Sequence, residues 1–179
     1  LVDVLYDHSV EASNGYASAG TLSAEVEVAT DGQLHFKASS SALTGTYTPA
    51  SISLGTRPQR VLVNFVPEAT QVRPETLAEM DYALDSEKIR RWSFEGAMDD
   101  LDGDDCTLKI EWRWSSTASA SSVAYRVFRP GEVYARTVDF RITFVRPTAD
   151  FDIRMNRLIV QALLPPNYSP SDVDGGAFA

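Results

Sequence analysis

Thr107-Leu-Lys-Ile-Glu-Trp-Arg-Trp114 sets the fold class. Leu108, Ile110, Trp112 and Trp114 alternate with Lys109, Glu111 and Arg113. A period of two puts successive side chains on opposite faces of an extended strand. Four large apolar groups on one side and three charges on the other predict one face on a core and one face in water. That division is the habit of antiparallel sheets.

The same pattern extends outward. In 136–145, Val138, Phe140, Ile142 and Phe144 share one face, with Arg141 and Thr143 on the other. In 22–28, Leu22, Ala24, Val26 and Val28 line up. Asp31-Gly32, the strongest short hairpin signal, follows, and then Leu34, Phe36 and Ala38 alternate again. A hairpin is expected there. The run 61–66 is β-branched and apolar and reads as a central strand bounded by Pro67. Shorter strands are expected at 50–54, 92–95, 124–128 and 157–164. The segments 39–48 and 115–122 are small and polar and read as connections, and Ala149-Asp150 as a turn. Pro74 begins a stretch in which Leu77, Met80 and Leu84 fit a helical face, so a short helical excursion is expected near 75–85. No helices alternate with strands. The expected fold is all-β: one antiparallel β-sandwich, jelly-roll-like, over 1–166, with 167–179 a linker or disordered tail.

The bulk properties agree. A chain of 179 residues buries roughly 70% of its unfolded surface, enough for a core without disulfide or metal. The net charge of −9 repels phosphate backbones and anionic lipid, so neither nucleic acid nor membrane is an expected partner. The longest uncharged span, 38–56, is rich in Ser and Thr and is no membrane helix. Asp3 and Asp7 stand where a leader would be basic and then apolar. With Leu1 in place of Met, the chain reads as an excerpt of a longer polypeptide. The single cysteine, Cys106, follows Asp104 and Asp105, and neighbouring anions work against a thiolate nucleophile. A buried strand residue is expected instead.

Catalytic patterns are sparse. His8 and His35 sit in no motif, and no Gly-x-Ser-x-Gly elbow occurs. Glu25, Glu27 and Glu111 are the carboxylates that a glycoside hydrolase would set across a cleft, but they fall on polar strand faces that read as solvated. The chain is therefore read as a binding or structural module and not an enzyme. Asp100, Asp102 and Asp104 have the spacing of the first three ligands of a calcium loop, and Glu111 falls at the twelfth position. Asp105 stands where that loop needs glycine, and a strand follows where a helix should, so this is no EF-hand. The two readings left are an exposed acidic turn and a looser calcium site between strands. No other cofactor is implied. Trp112 and Trp114 read as core. Tyr16, Tyr47, Tyr82 and Tyr134 lie in loop-like stretches, where an exposed ring stacks on a sugar or meets a partner chain.

The segment 128–144 resembles a motif of the tail-tip host-specificity proteins of long-tailed phages, the central tail fibre family. The match is carried by Pro130, Gly131, Tyr134, Ala135, Arg136, Phe140 and Arg141, with Val138 where the family often has an aromatic. Upstream, Ile52-Ser-Leu-Gly55 resembles that family's Ile-Asp-Leu-Gly strand end, with Ser53 in place of the acid. Trp92-Ser-Phe-Glu-Gly96 resembles the segment before its next strand. The likeness spans about residues 50–166, and 1–48 add nothing to it. It implies a virion component at the distal tail tip, a sandwich of carbohydrate-binding-module type, threefold assembly and contacts with other tail proteins. It implies no sugar site in this particular domain, although a host surface glycan remains a candidate partner. Read physically, Pro130-Gly131 makes a tight turn, Tyr134 and Phe140 anchor the next strand in the core, and Arg136 and Arg141 pair with carboxylates.

Overall fold

A computed structural model describes residues 4–11, 15–72, 90–92 and 106–163. Two antiparallel sheets pack face to face, as the alternation demands. In chain order the elements are β1 (Val4–Glu11), the one-turn α1 (Tyr16–Ala19), β2 (Gly20–Leu22), β3 (Val26–Val28), β4 (Leu34–Phe36), β5 (Thr44–Pro49) and β6 (Ile52–Ser53). Then come β7 (Gln59–Val72), β8 (Arg90–Trp92), β9 (Thr107–Ser115), β10 (Arg126–Val127), β11 (Gly131–Ala135), β12 (Thr137–Val145) and β13 (Asp152–Leu163). The first sheet runs β11-β7-β13-β4-β3, with β1 on β13 and β8 on β7. The second runs β10-β9-β12-β5-β2, with β6 on β12.

The stretch that decided the fold behaves as expected on its apolar side. In β9, Ile110 and Trp112 are buried and Leu108 and Trp114 partly so. The apolar face of β12 is fully buried at Val138, Phe140, Ile142 and Phe144. Across the sandwich, Phe65 of β7 stacks on Phe140 with ring centroids 4.4 Å apart, and Phe128 and Trp112 complete an aromatic cluster. Offset and edge-on rings add about 0.5–1.5 kcal/mol each beyond the area they bury.

Several expected boundaries move, each for a local reason. The run 22–28 is two strands: the chain turns at 23–25 and crosses from the second sheet to the first. Ser23 caps the break by accepting the Thr46 N–H at its side-chain oxygen. The hairpin after it forms as expected, as β3 and β4, with Gly32 in the left-handed region at φ 85°. The connection 39–48 ends in strand β5, which joins β12 to β2. Strand β7 runs through Pro67 to Val72 instead of stopping there. β11 covers its outer flank only to Val63 and β8 only from Ala69, so Pro67 lies where no described strand pairs on that flank. The segment 124–128 forms only the two-residue β10. The run 136–145 begins one strand earlier, at β11, and Arg136 is where the chain changes sheets: its N–H donates to Ser115 O and its carbonyl accepts from Leu54 N–H. The last strand starts at Asp152, ahead of the expected 157, and carries an irregularity between Met155 and Arg157. α1 was not foreseen. The excursion near 75–85, the tail 167–179 and 93–95 of the strand expected at 92–95 lie outside the described residues. Among those described, no helix is long and apolar enough to cross a membrane.

Candidate functional site

The polar side of β9 is the first departure of consequence. Lys109, Glu111 and Arg113 were expected in water, yet Glu111 is only 8% exposed and Asp139, opposite Arg113, only 7%. Antiparallel register explains it. Arg141 pairs with Glu111 and Asp139 with Arg113, so cation and anion face each other on adjacent strands. Arg141 Nη2 lies 2.7 Å and Lys109 Nζ 2.9 Å from the Glu111 carboxylate. Arg113 Nε donates to Asp139 Oδ2 at 2.8 Å, and Ser51 Oγ donates to its other oxygen at 2.5 Å. The Tyr125 ring lies under both guanidiniums, 4.5 Å from Arg113 and 4.4 Å from Arg141. Arg113 also reaches over to the Ser121 and Val123 carbonyls, tying the 115–122 loop across this face.

These contacts set the chemistry of Glu111. Burial alone would raise its pKa, but hydrogen bonds from Lys109 and Arg141, and their charges, outweigh that and hold it below the usual carboxylate range. An acid kept ionised in this way is no proton donor near neutral pH. Glu25 accepts from Ser40 Oγ at 3.2 Å, on a different strand turn. His35 lies between Asp152, 3.4 Å from Nδ1, and Glu27, 3.8 Å from Nε2. Asp152 in turn accepts the Phe36 and Ile153 N–H groups, so it anchors β4 to β13. His8 lies on β1, opposite Val160.

The motif residues separate into two groups. Phe140 is in the core, Ala135 is buried, and Arg141 finds its carboxylate in Glu111. Gly131 opens β11 directly after Pro130, where 128–130 cross from β10 to the other sheet. Tyr134 does not anchor a core: it is 57% exposed, on the outer face of edge strand β11 opposite Arg60. Among the described residues Arg136 makes no carboxylate pair. Its Nε donates to the Gly55 carbonyl at 3.2 Å. Both corrections follow from the extra strand β11, since the sheet change at Arg136 puts Tyr134 and Phe140 in different sheets.

The other tyrosines reverse their expectation too. Tyr16 and Tyr47 are fully buried, edge to face at 5.4 Å, and the Tyr47 hydroxyl donates to the Tyr16 carbonyl. Burial pushes Tyr47 up to about 12 and raises Tyr16 as well. Cys106 is buried, just ahead of β9, with its N–H donating to Gln71 Oε1. Asp100, Asp102, Asp104 and Tyr82 lie outside the described residues. Among the described residues no group of His, Cys, Asp and Glu side chains is placed to hold a metal ion. Sequence reasoning missed Asp139, Asp152 and Arg146. Asp139 alternates with Val138 and Phe140 as any surface acid would, and only strand pairing reveals its partner.

No protein-family model matches the chain, and a search of curated proteins finds no match.

Proposed function

We propose that this chain is a structural and host-recognition module of a phage tail tip or central tail fibre, docking other tail proteins or a host surface glycan. The observation that carries the reading is Tyr134. The residue belongs to the segment that resembles the tail-fibre motif, and its ring is exposed on an edge strand, on the face that also carries exposed Leu62 of the paired strand β7. Exposed aromatic and aliphatic groups flanked by arginine are the composition of protein contacts. The satisfied ion pairs on the β9–β12 face support a scaffold and supply no acid or nucleophile. Threefold assembly in a virion is the setting that this reading implies, with a sandwich of carbohydrate-binding-module type as spacer or docking unit.

Light scattering on the purified chain tests the reading, with a trimer, or a stable complex with a neighbouring tail protein, as the expected result. A monomer that engages no tail protein would sink it. A carbohydrate-binding module of a secreted protein is the alternative, favoured by the same exposed ring. A glycan-array signal abolished by Tyr134→Ala, from a chain that does not assemble, would select it.

A further inference from the structure

The chain carries a net charge of −9, yet one edge of the sandwich has the opposite sign. Segments 55–63 and 124–137 hold Arg57, Arg60, Arg126, Arg129 and Arg136 against one carboxylate, Glu132. Strand pairing gathers three of these arginines around one aromatic ring. Tyr134 of β11 stands opposite Arg60 of β7, and Glu132 opposite Leu62. All four are exposed while Val61, Val63, Val133 and Ala135 between them are buried, so the four share the outer face of the sheet. Directly opposite Cβ atoms lie about 5 Å apart and diagonal ones about 7–8 Å, which puts both Arg60 and Leu62 within reach of the Tyr134 ring. Arg136 follows two residues on, and its Nε donates to the Gly55 carbonyl at 3.2 Å. Arg57 lies two residues past Gly55 and two before Gln59, which pairs with Ala135. Arg57 and Arg136 therefore border the same end of β11. Arg60 has Glu132 at 3.5 Å, whereas Arg57 and Arg136 have no carboxylate partner among the described residues.

An exposed ring bordered by unneutralised guanidiniums suits one ligand chemistry. At about 0.1 M salt, charges are screened beyond about 10 Å, so a short anionic group feels the local arginines. A long, stiff polyphosphate also meets the field of the acidic remainder of the chain, which sets nucleic acid aside. A neutral sugar would stack on Tyr134 and leave the arginines unused. An acidic peptide presents its carboxylates on flexible stems, which lose rotamer freedom when they are fixed. A uronate residue holds its carboxylate rigidly on a pyranose ring, and the C–H face of that ring is apolar. It engages an aromatic face and a planar guanidinium fork together, with little left to order.

We propose that the outer face of the β7–β11 edge, built from Tyr134, Arg57, Arg60 and Arg136, binds a polysaccharide that carries carboxylates on its pyranose rings. A sugar ring stacks on Tyr134 beside Leu62, and its carboxylate takes the guanidiniums of Arg57 and Arg136. Glu132 is the one carboxylate on this face, and it opposes such a ligand while occupying Arg60. The polysaccharide is the host surface glycan of the proposed function, so the inference rests on that reading and gives the glycan its chemical class. Opposite charges at an exposed site attract through solvent, so salt weakens the contact.

Calorimetric titration of the full chain with oligomers of galacturonate, alginate and hyaluronan, and with neutral dextran, tests it. At least one of the three acidic glycans is expected to bind and dextran is not. Raising salt from about 50 to about 500 mM is expected to weaken that binding at least about tenfold. Tyr134→Ala is expected to weaken it about tenfold, and Arg57→Gln with Arg136→Gln by as much. Arg57→Gln alone, at an exposed site with no carboxylate partner, is the gentler variant, with a loss of about threefold. Glu132→Gln is expected to tighten binding about twofold, a gain that no damage to the fold would produce. Circular dichroism checks each variant. No binding to any of the three acidic glycans overturns the site, and so do equal binding of dextran and binding that survives both Tyr134→Ala and the arginine pair. Tighter binding of polyglutamate than of every acidic glycan overturns it in favour of an acidic polypeptide. Light scattering separates the two readings. A trimer or a tail-protein complex that persists when no acidic glycan binds leaves the fibre reading standing without this site. A monomer that engages no tail protein but binds an acidic glycan through Tyr134 and the arginines keeps the site and removes the fibre reading.

Discussion

Arg146 takes a full charge into the interior at the end of β12, where it is 4% exposed. Among the described residues its guanidinium meets no carboxylate there. Nε donates to Ala42 O, Nη2 to Ser40 O, and Nη1 to both Ala149 O and Phe151 O. The Phe36 ring lies 4.1 Å away. One planar fork thereby satisfies carbonyls from the turn before β5 and the turn before β13, which a point-charge ammonium cannot do. Arg146→Met would bury those carbonyls without donors, and unsatisfied groups cost about 1–3 kcal/mol each before relaxation. We expect Arg146→Met to lower unfolding stability by about 3 kcal/mol and Arg146→Lys by about half of that. Urea denaturation reads both, with the midpoint falling and the slope unchanged. A change below about 0.5 kcal/mol in Arg146→Met would show that the fork is not what holds the two turns. Nothing in the sequence marks this residue. Arg146 stands beside Pro147 like any loop arginine, and its partners are about a hundred residues upstream or just ahead of it.

At the scale of elements, the apolar face of each strand was legible and its edges were not. Period two located β9 and β12 because burial on one face enforces it. β5 was hidden because its composition, Thr-Gly-Thr-Tyr-Thr-Pro, reads as a loop. Gly45 is there for packing: a Cβ would stand 2.6 Å from Val26 Cγ1 and 3.2 Å from the Phe36 ring. β11 was hidden because the chain changes sheets at Arg136 without a turn residue. Of the site, the acids and arginines were visible in the sequence, but their pairing depends on register between strands far apart in the chain. The β9–β12 ladder that results has a pH signature. Glu111 has a folded pKa below its unfolded value, so its contribution is present above about pH 4.5 and is lost as pH falls through the folded value. Glu111→Gln removes that contribution at all pH values. The stability gap between wild type and Glu111→Gln should be widest at pH 7 and narrow as pH falls below about 4.5, measured by urea midpoints. A gap that persists at low pH would mean that geometry, and not charge, sets the value of the ladder.

At the scale of the whole molecule, the chain passes between the two sheets after every one or two strands. β2 leaves β1 for the second sheet, β3 and β4 return, β5 and β6 leave again, and the alternation continues to β13. Each sheet is therefore assembled from segments whose neighbours in sequence lie in the other. The aromatic cluster joins them at the centre, with Phe65 and Phe128 against Trp112 and Phe140. Neither sheet can melt alone, because peeling one away breaks the chain path of the other and exposes one face of the shared core. The prediction is a single cooperative transition. Tryptophan fluorescence, to which Trp112 in the core and Trp114 packed against it contribute, and far-UV circular dichroism, which reports strands in both sheets, should give one urea midpoint and one slope. Phe140→Ala, at the point where the sheets meet, should move both signals together by about 3–5 kcal/mol. Two separated transitions, or a fluorescence change that runs ahead of the backbone signal, would show that the sheets are independent units held by a weaker contact than the packing implies.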